Sequence, residues 1–135
     1  MQNAAVAAPA PATPTQLTAT PIVIPPLNDG ERWTGIVSVG TQLHHVILLP
    51  GDFVGNWKAS SAWAKEQGGE LPSHLEQSLL WAELKDQFQA DWYWSCEQHA
   101  SYPGYAWVQS FYDGYQHFDP TDDYYRARAV RRVTI

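Results

Sequence analysis

Three groups of side chains in this 135-residue sequence are of types that do chemistry. The first is Cys96-Glu97, with His99 shortly after. An imidazole beside a thiol can ionise it into a nucleophile. Neighbours in an extended strand point to opposite faces, however, so Cys96 and Glu97 diverge, and Cys96 needs a turn to meet His99. The second group is Asp119, Asp122 and Asp123, with His117 as a softer ligand. Calcium takes about six to eight oxygen ligands, usually from several converging carboxylates. Four arginines (Arg126, Arg128, Arg131 and Arg132) follow at once. Internal ion pairing with Asp113, Asp119, Asp122 and Asp123 is the simpler role for both sets. The third group is His44-His45, which a strand turns to opposite faces, one buried and one exposed. None of the three makes a convincing centre. We expect no catalytic residues, no metal and no cofactor.

A different kind of density marks residues 105–125, YAWVQSFYDGYQHFDPTDDYY. A core-building strand would use Val, Ile and Leu, and a solvated loop would not need so many rings. Tyr offers a large rigid ring and a hydroxyl at little cost in rotamer freedom, while Ser, Gly and Asp add short adaptable contacts; antibody loops use the same vocabulary. The expected ligand-binding residues are Ser101, Tyr102, Tyr105, Ser110, Tyr112, Asp113, Tyr115, His117, Phe118, Asp119, Asp122, Asp123, Tyr124 and Tyr125. Tyr is intermediate in burial, so roughly half of these side chains should be exposed.

The remainder of the chain bounds what that face can serve. A formal net charge of −6 argues against nucleic acid as the main partner, because phosphate binding needs a basic face. The single cysteine leaves no intrachain disulfide and no CxxC zinc site, which suits synthesis in a reducing cytoplasm. Residues 1–30 hold six of the ten prolines and no Lys or Arg. Proline fixes φ and removes a backbone donor, so this Pro/Ala/Thr-rich segment is expected to be an arm or linker. It has no basic n-region of the kind that opens a secretory signal peptide. No stretch approaches the roughly twenty apolar residues of a membrane span. Residues 31–135 are then one domain of ordinary core size.

Trp33–Val39 and His44–Leu49 read as a hairpin turned at Gly40-Thr-Gln. Asn56 is a plausible N-cap for a helix bearing Ala59, Ala62 and Trp63, and Gly68-Gly69 can close it in a left-handed cap. Ser73-His-Leu-Glu76 is a capping box opening a second helix. Leu75, Leu79 and Ala82 form one apolar face of that helix and Leu80, Leu84 and Phe88 another, so burial on two sides is expected. From residue 91 the runs DWYWSCEQ, YAWVQSFY, GYQHF and YYRARAVRRV are short and β-prone, with Asp113-Gly114 as a two-residue hairpin signal. The fold class expected is α+β, two helices on an antiparallel sheet.

GGELPSHLEQ, WYWSCEQ, YAWVQSFYDGY and RARAVRR, in that order and spacing, resemble the Lcl C-terminal-domain family of bacterial and phage proteins. The similarity spans roughly residues 31–133. The resemblance implies a C-type-lectin-like fold of the formylglycine-generating-enzyme superfamily, with N- and C-terminal strands paired and a long irregular excursion carrying the binding face. It assigns Trp94, Trp107, Phe111 and Val130 to the core; Trp33, Trp57, Trp63 and Trp81 read as core as well. Formylglycine-generating enzymes use a cysteine pair, and this chain has one Cys. The EPN, QPD and WND signatures of sugar-binding C-type lectins are absent.

The same superfamily holds the variable proteins of diversity-generating retroelements, whose C-terminal codons are rewritten by adenine-specific mutagenesis. An Asn codon with its two leading adenines randomised reaches Tyr, Asp, His, Ser and Phe, but not Trp, Gln, Glu or Lys. All fourteen candidate residues fall in the reachable set, whereas Trp107, Gln109 and Gln116 fall outside it and would be fixed scaffold. No Asn remains between residues 91 and 135. The expectation is a phage or prophage binding module for a protein or glycan ligand on a host or environmental surface, a determinant of tropism displayed on a virion or cell surface. Two alternatives stay open: a structural or assembly protein of the virion that buries the same face in a homo-oligomer, and an inhibitor of a host protein.

Overall fold

The computed structural model describes residues 21–135. Most of the expected proline-rich arm, residues 1–20, lies outside the described residues. The chain folds into eight strands and two helices: β1 Arg32–Val39, β2 Gln42–Leu48, β3 Phe53–Gly55, α1 Trp57–Glu66, α2 His74–Leu84, β4 Trp92–Gln98, β5 Tyr105–Ser110, β6 Gln116–Pro120, β7 Tyr125–Ala127 and β8 Val130–Thr134. A 3₁₀ turn, Lys85–Gln87, extends α2. The class is α+β, as the sequence led us to expect. None of the described helices is long and apolar enough to cross a membrane.

Two sheets form. The first has the order β1-β2-β8 and the second β3-β7-β4-β5-β6. All pairings are antiparallel except β4 with β7, which meet in parallel at Tyr93 and Arg126. The expected pairing of the N- and C-terminal strands is corrected: β8 pairs with β2, and β1 is an edge. The reason lies in β2, whose Val46-Ile47-Leu48 run is fully buried and suits a central strand. β1 is interrupted by a register shift between Trp33 and Gly35.

The run YYRARAVRRV, read as one strand, splits into β7 and β8 in different sheets. Arg128 sits at the crossover, donating to the carbonyls of Gln87 and Leu49, and Leu49 N–H donates to Ala129 O at 2.9 Å. These bonds hold the chain where it passes between sheets.

Both helices begin as their caps dictate. Asn56 accepts from Ala59 N–H at 2.9 Å. Ser73 accepts from Glu76 N–H at 3.1 Å, while Glu76 takes the Ser73 N–H at 2.8 Å. At the end of α1, Gly68 takes φ +88° and Gly69 N–H reaches back to Ala64 O, a Schellman closure. Gly69 also lies against β8 so closely that a Cβ would stand 2.2 Å from the Val130 carbonyl oxygen.

The helix faces differ from expectation. α1 buries Ser60 and Ala64, leaving Ala59 and Ala62 exposed. On α2, Leu80 and Leu84 are buried with Glu76 and Gln77, and Leu79 is half-buried against the first cluster, whereas Leu75 and Ala82 meet solvent. Glu76 and Gln77 go inward because each finds partners there.

Two clusters make the core. One joins the first sheet to α2 through Val46, Leu48, Leu80, Leu84, Tyr93 and Phe111; the other packs Ala64 and Leu71 on Trp94, Val108 and Ala127. Trp94, Phe111 and Val130 are buried as assigned, but Trp107 is half-buried and belongs to neither cluster. Trp33, Trp57, Trp63 and Trp81 are half-buried too, and the last three flank the clusters.

Candidate binding face on the edge of the five-stranded sheet

β6 is an outer strand of the second sheet, so its side chains depend on β5 and α2 for position. Its register sets Gln116 opposite Gln109, Phe118 opposite Trp107 and Pro120 opposite Tyr105. Polar side chains fasten this layer. Gln77 Nε2 donates to the carbonyls of Tyr93 and Trp94, and Gln109 Nε2 donates to Gln77 O at 3.1 Å. Gln116 Nε2 donates to His74 O and to Gln109 Oε1, each at 2.7 Å. Gln109 and Gln116, both outside the Asn-reachable set, are therefore fastened to the scaffold through their side chains.

Over this layer lies an unbroken series of rings. Tyr115 stacks on His117 at 6.0 Å between centroids, His117 meets Phe118 at 5.1 Å, and Phe118 meets Tyr102 at 5.7 Å and Tyr105 at 6.1 Å. Trp107 is its floor, edge-on to Phe118 and to His74.

Three loops border the series. In the first, His99 Nδ1 accepts from the amides of Ser101 and Tyr102, and its ring stacks on Trp107 at 5.3 Å. His99 thus organises a turn and does not partner Cys96; its place just ahead of Ser101-Tyr-Pro-Gly104 is the sequence signal for that role. The second loop, residues 111–115, is longer than the two-residue turn expected, because Ser110 gathers it. Ser110 N–H donates to Tyr115 O, and Ser110 Oγ accepts from Tyr112 N–H at 3.1 Å. Gly114, at φ +82°, leans on Trp81 with no room for a Cβ. In the third loop Thr121 N–H donates to Gly104 O and Trp57 N–H to Thr121 O, which ties it to the first loop and to α1.

Of the fourteen expected residues, ten are exposed: Ser101, Tyr102, Tyr105, Tyr112, Asp113, Tyr115, His117, Asp122, Asp123 and Tyr124. Phe118, Asp119 and Tyr125 are half-buried. Tyr125 donates to Asp119 Oδ2 at 2.8 Å, and burial, with Asp119 behind it, pushes its phenol up. Ser110 is a correction: it is 5% exposed and its hydroxyl serves the loop, so it cannot face a ligand.

The arginines are a second correction. They pair internally, but not with the neighbouring aspartates. Arg126 goes to Asp91 and Asp52, Arg131 to Glu31, and Arg132 to Glu70 and Glu76, while Arg128 takes carbonyl oxygens. Register decides this, since β7 and β8 lie beside β3 and β2 and leave the excursion behind.

The groups weighed for chemistry do not converge. Glu97 accepts from His74 N–H at 2.8 Å, away from Cys96, and desolvation pushes the exposed Cys96 thiol up. His44 bonds Glu76, and His45 accepts from Trp33 Nε1 at 3.0 Å on the opposite face of β2. Among the described residues no group of three or more His, Cys, Asp or Glu could hold a metal ion.

Fold and surface together define an α+β domain with an aromatic, acidic edge. No protein-family model matches the chain, and neither does any curated protein.

Proposed function

We propose that the chain is a phage- or prophage-encoded binding module with a C-type-lectin-like domain, whose 101–125 surface recognises a ligand on a host or environmental surface without chemistry. One observation carries the reading. Tyr102, Tyr105, Tyr115, His117 and Phe118 form one run of touching rings, Tyr112 and Tyr124 stand out from the loops on either side of β6, and Gln109 and Gln116 beneath are hydrogen-bonded to the scaffold. Two desolvated Tyr anchors contributing about 2 kcal/mol each would make a hot spot. The C-type-lectin-like assignment is supported by two helices on mostly antiparallel sheets and by long loops along one edge. Diversification by a retroelement is supported by ten of the fourteen reachable residues being exposed while Gln109 and Gln116, which are unreachable, are hydrogen-bonded to the scaffold.

The test is a glycan and protein array probed with the full chain and with a variant carrying Tyr112→Ala, Tyr115→Ala and Tyr124→Ala. Loss of captured ligand in the variant is expected; equal capture removes this surface from the account. For diversification, the neighbouring DNA should hold an adenine-rich near-repeat of the 3′ coding end beside a reverse-transcriptase gene.

One feature favours an assembly role instead. β6 has no strand on its outer side, and such an edge is a template for pairing with another copy. Light scattering separates the two, because a stable monomer contradicts assembly through this face.

A further inference from the structure

Charge is divided unevenly over this molecule. The whole chain carries −6, and residues 99–125 contain four aspartates and no Lys or Arg, so −4 falls on the candidate face. The arginines that follow in sequence are turned to Asp52, Asp91, Glu31, Glu70 and Glu76. Among the described residues no Lys or Arg pairs with Asp113, Asp119, Asp122 or Asp123. Lys58 lines a groove of about 500 Å³ with Asp122, and the two form no ion pair. Asp113 accepts only the Tyr115 amide, and Asp119 only the Tyr125 hydroxyl. Four carboxylates thus share the 99–125 segment with the rings, and among the described residues none of them is paired with a Lys or Arg.

We infer that this face takes a cationic, arginine-bearing protein segment, an inference that rests on the binding-module reading above. Both halves of the surface fit that ligand. A guanidinium is planar and weakly hydrated, stacks on an aromatic ring, and forks onto a carboxylate in the same pose. An ammonium is a compact, strongly hydrated point charge that gains less from the rings. A neutral glycan would stack on the tyrosines but leave the aspartates unmatched, and an acidic surface would be repelled. Phe118 and Trp107 supply an aromatic wall on strands that Gln116 fastens to α2.

The experiment measures binding of octa-arginine, octa-lysine and octa-glutamate peptides to the full chain at near-physiological salt by fluorescence anisotropy. Octa-arginine is expected to bind several-fold tighter than octa-lysine, and octa-glutamate not at all. Two neutralised variants remove the same charge from different places: Asp113→Asn with Asp122→Asn and Asp123→Asn on the face, and Glu66→Gln with Glu83→Gln and Asp86→Gln on the helices and the turn after α2. The first should weaken octa-arginine about tenfold or more. The second should leave it within about twofold. Equal losses would mean that binding follows net charge alone, and would overturn the inference, as would no binding of octa-arginine. The array distinguishes the two levels. A neutral or acidic ligand lost with Tyr112, Tyr115 and Tyr124 sinks the cationic ligand and leaves the binding face standing; no ligand lost with them sinks both.

Discussion

The Gln116 side-chain amide donates to Oε1 of Gln109 at 2.7 Å, across the last two strands of the second sheet. Gln109 is 1% exposed and donates in turn to Gln77 O on α2, so the outermost strand is anchored through amides to a helix. Removing either side chain should cost about 1–3 kcal/mol by urea denaturation, with the buried Gln109→Ala the larger. Because they share a bond, the double variant should lose less than the sum by about 0.5 kcal/mol or more. Strict additivity would show that the two amides act separately.

Acid should weaken the fold through Glu76. Its side chain is 2% exposed, and both oxygens accept from Arg132 at 2.7 Å, with the Ser73 amide and His44 adding bonds. Burial pushes the carboxyl up, yet Arg132, the Ser73 amide and His44 together hold it below its ordinary 4.5. A carboxyl lowered by folding stabilises above its unfolded value and loses that contribution as pH falls through the folded one. Glu31, pulled down to about 2 chiefly by its bonds to Arg131, adds to the same window below pH 4.5. Glu76→Gln should cost about 2–4 kcal/mol at pH 7 and flatten the melting-temperature profile between pH 5 and pH 2. A variant with unchanged acid sensitivity would place the titration elsewhere.

Surface chemistry offers a direct test of the face. Tyr112 is 76% exposed and Tyr124 70%, whereas Tyr93 is 1% exposed and donates to Asp52. Limited nitration read by peptide mass spectrometry should label Tyr112 and Tyr124 first and spare Tyr93. Labelling of Tyr93 before either would contradict the fold.

Cys96 should react slowly for an exposed residue. With its thiol pushed up by desolvation, the thiolate fraction at pH 8 is smaller than that of free cysteine, and reaction with a disulfide reagent should be several-fold slower. Alkylating it should leave capture of ligand unchanged.

Much of this architecture was legible in local signals. Asn56 and Ser73-x-x-Glu76 wrote the helix starts in side-chain chemistry that acts within four residues, and Gly68-Gly69 wrote the stop. What escaped was set at a distance. Arg126, Arg131 and Arg132 found acids far along the chain, where sequence proximity had suggested Asp119, Asp122 and Asp123. Glu76 and Gln77 went inward because partners waited there, which no periodicity could tell. β3, three residues long, was too short to show a pattern. On the face itself ten of the fourteen positions are exposed, more than the rough half that residue type led us to expect, and Ser110 is buried because a small hydroxyl serves a loop as readily as a ligand.

No residue from 112 to 124 belongs to either apolar cluster; the stretch meets their margins only where Gly114 lies on Trp81 and Tyr115 on Trp92. That stretch behaves as a cassette clipped to a finished chassis. Provided Ser110, Gln116 and Gly114 stay, a randomised library spanning its outward positions should keep the parent's folded yield, which makes the domain a candidate scaffold for display and selection.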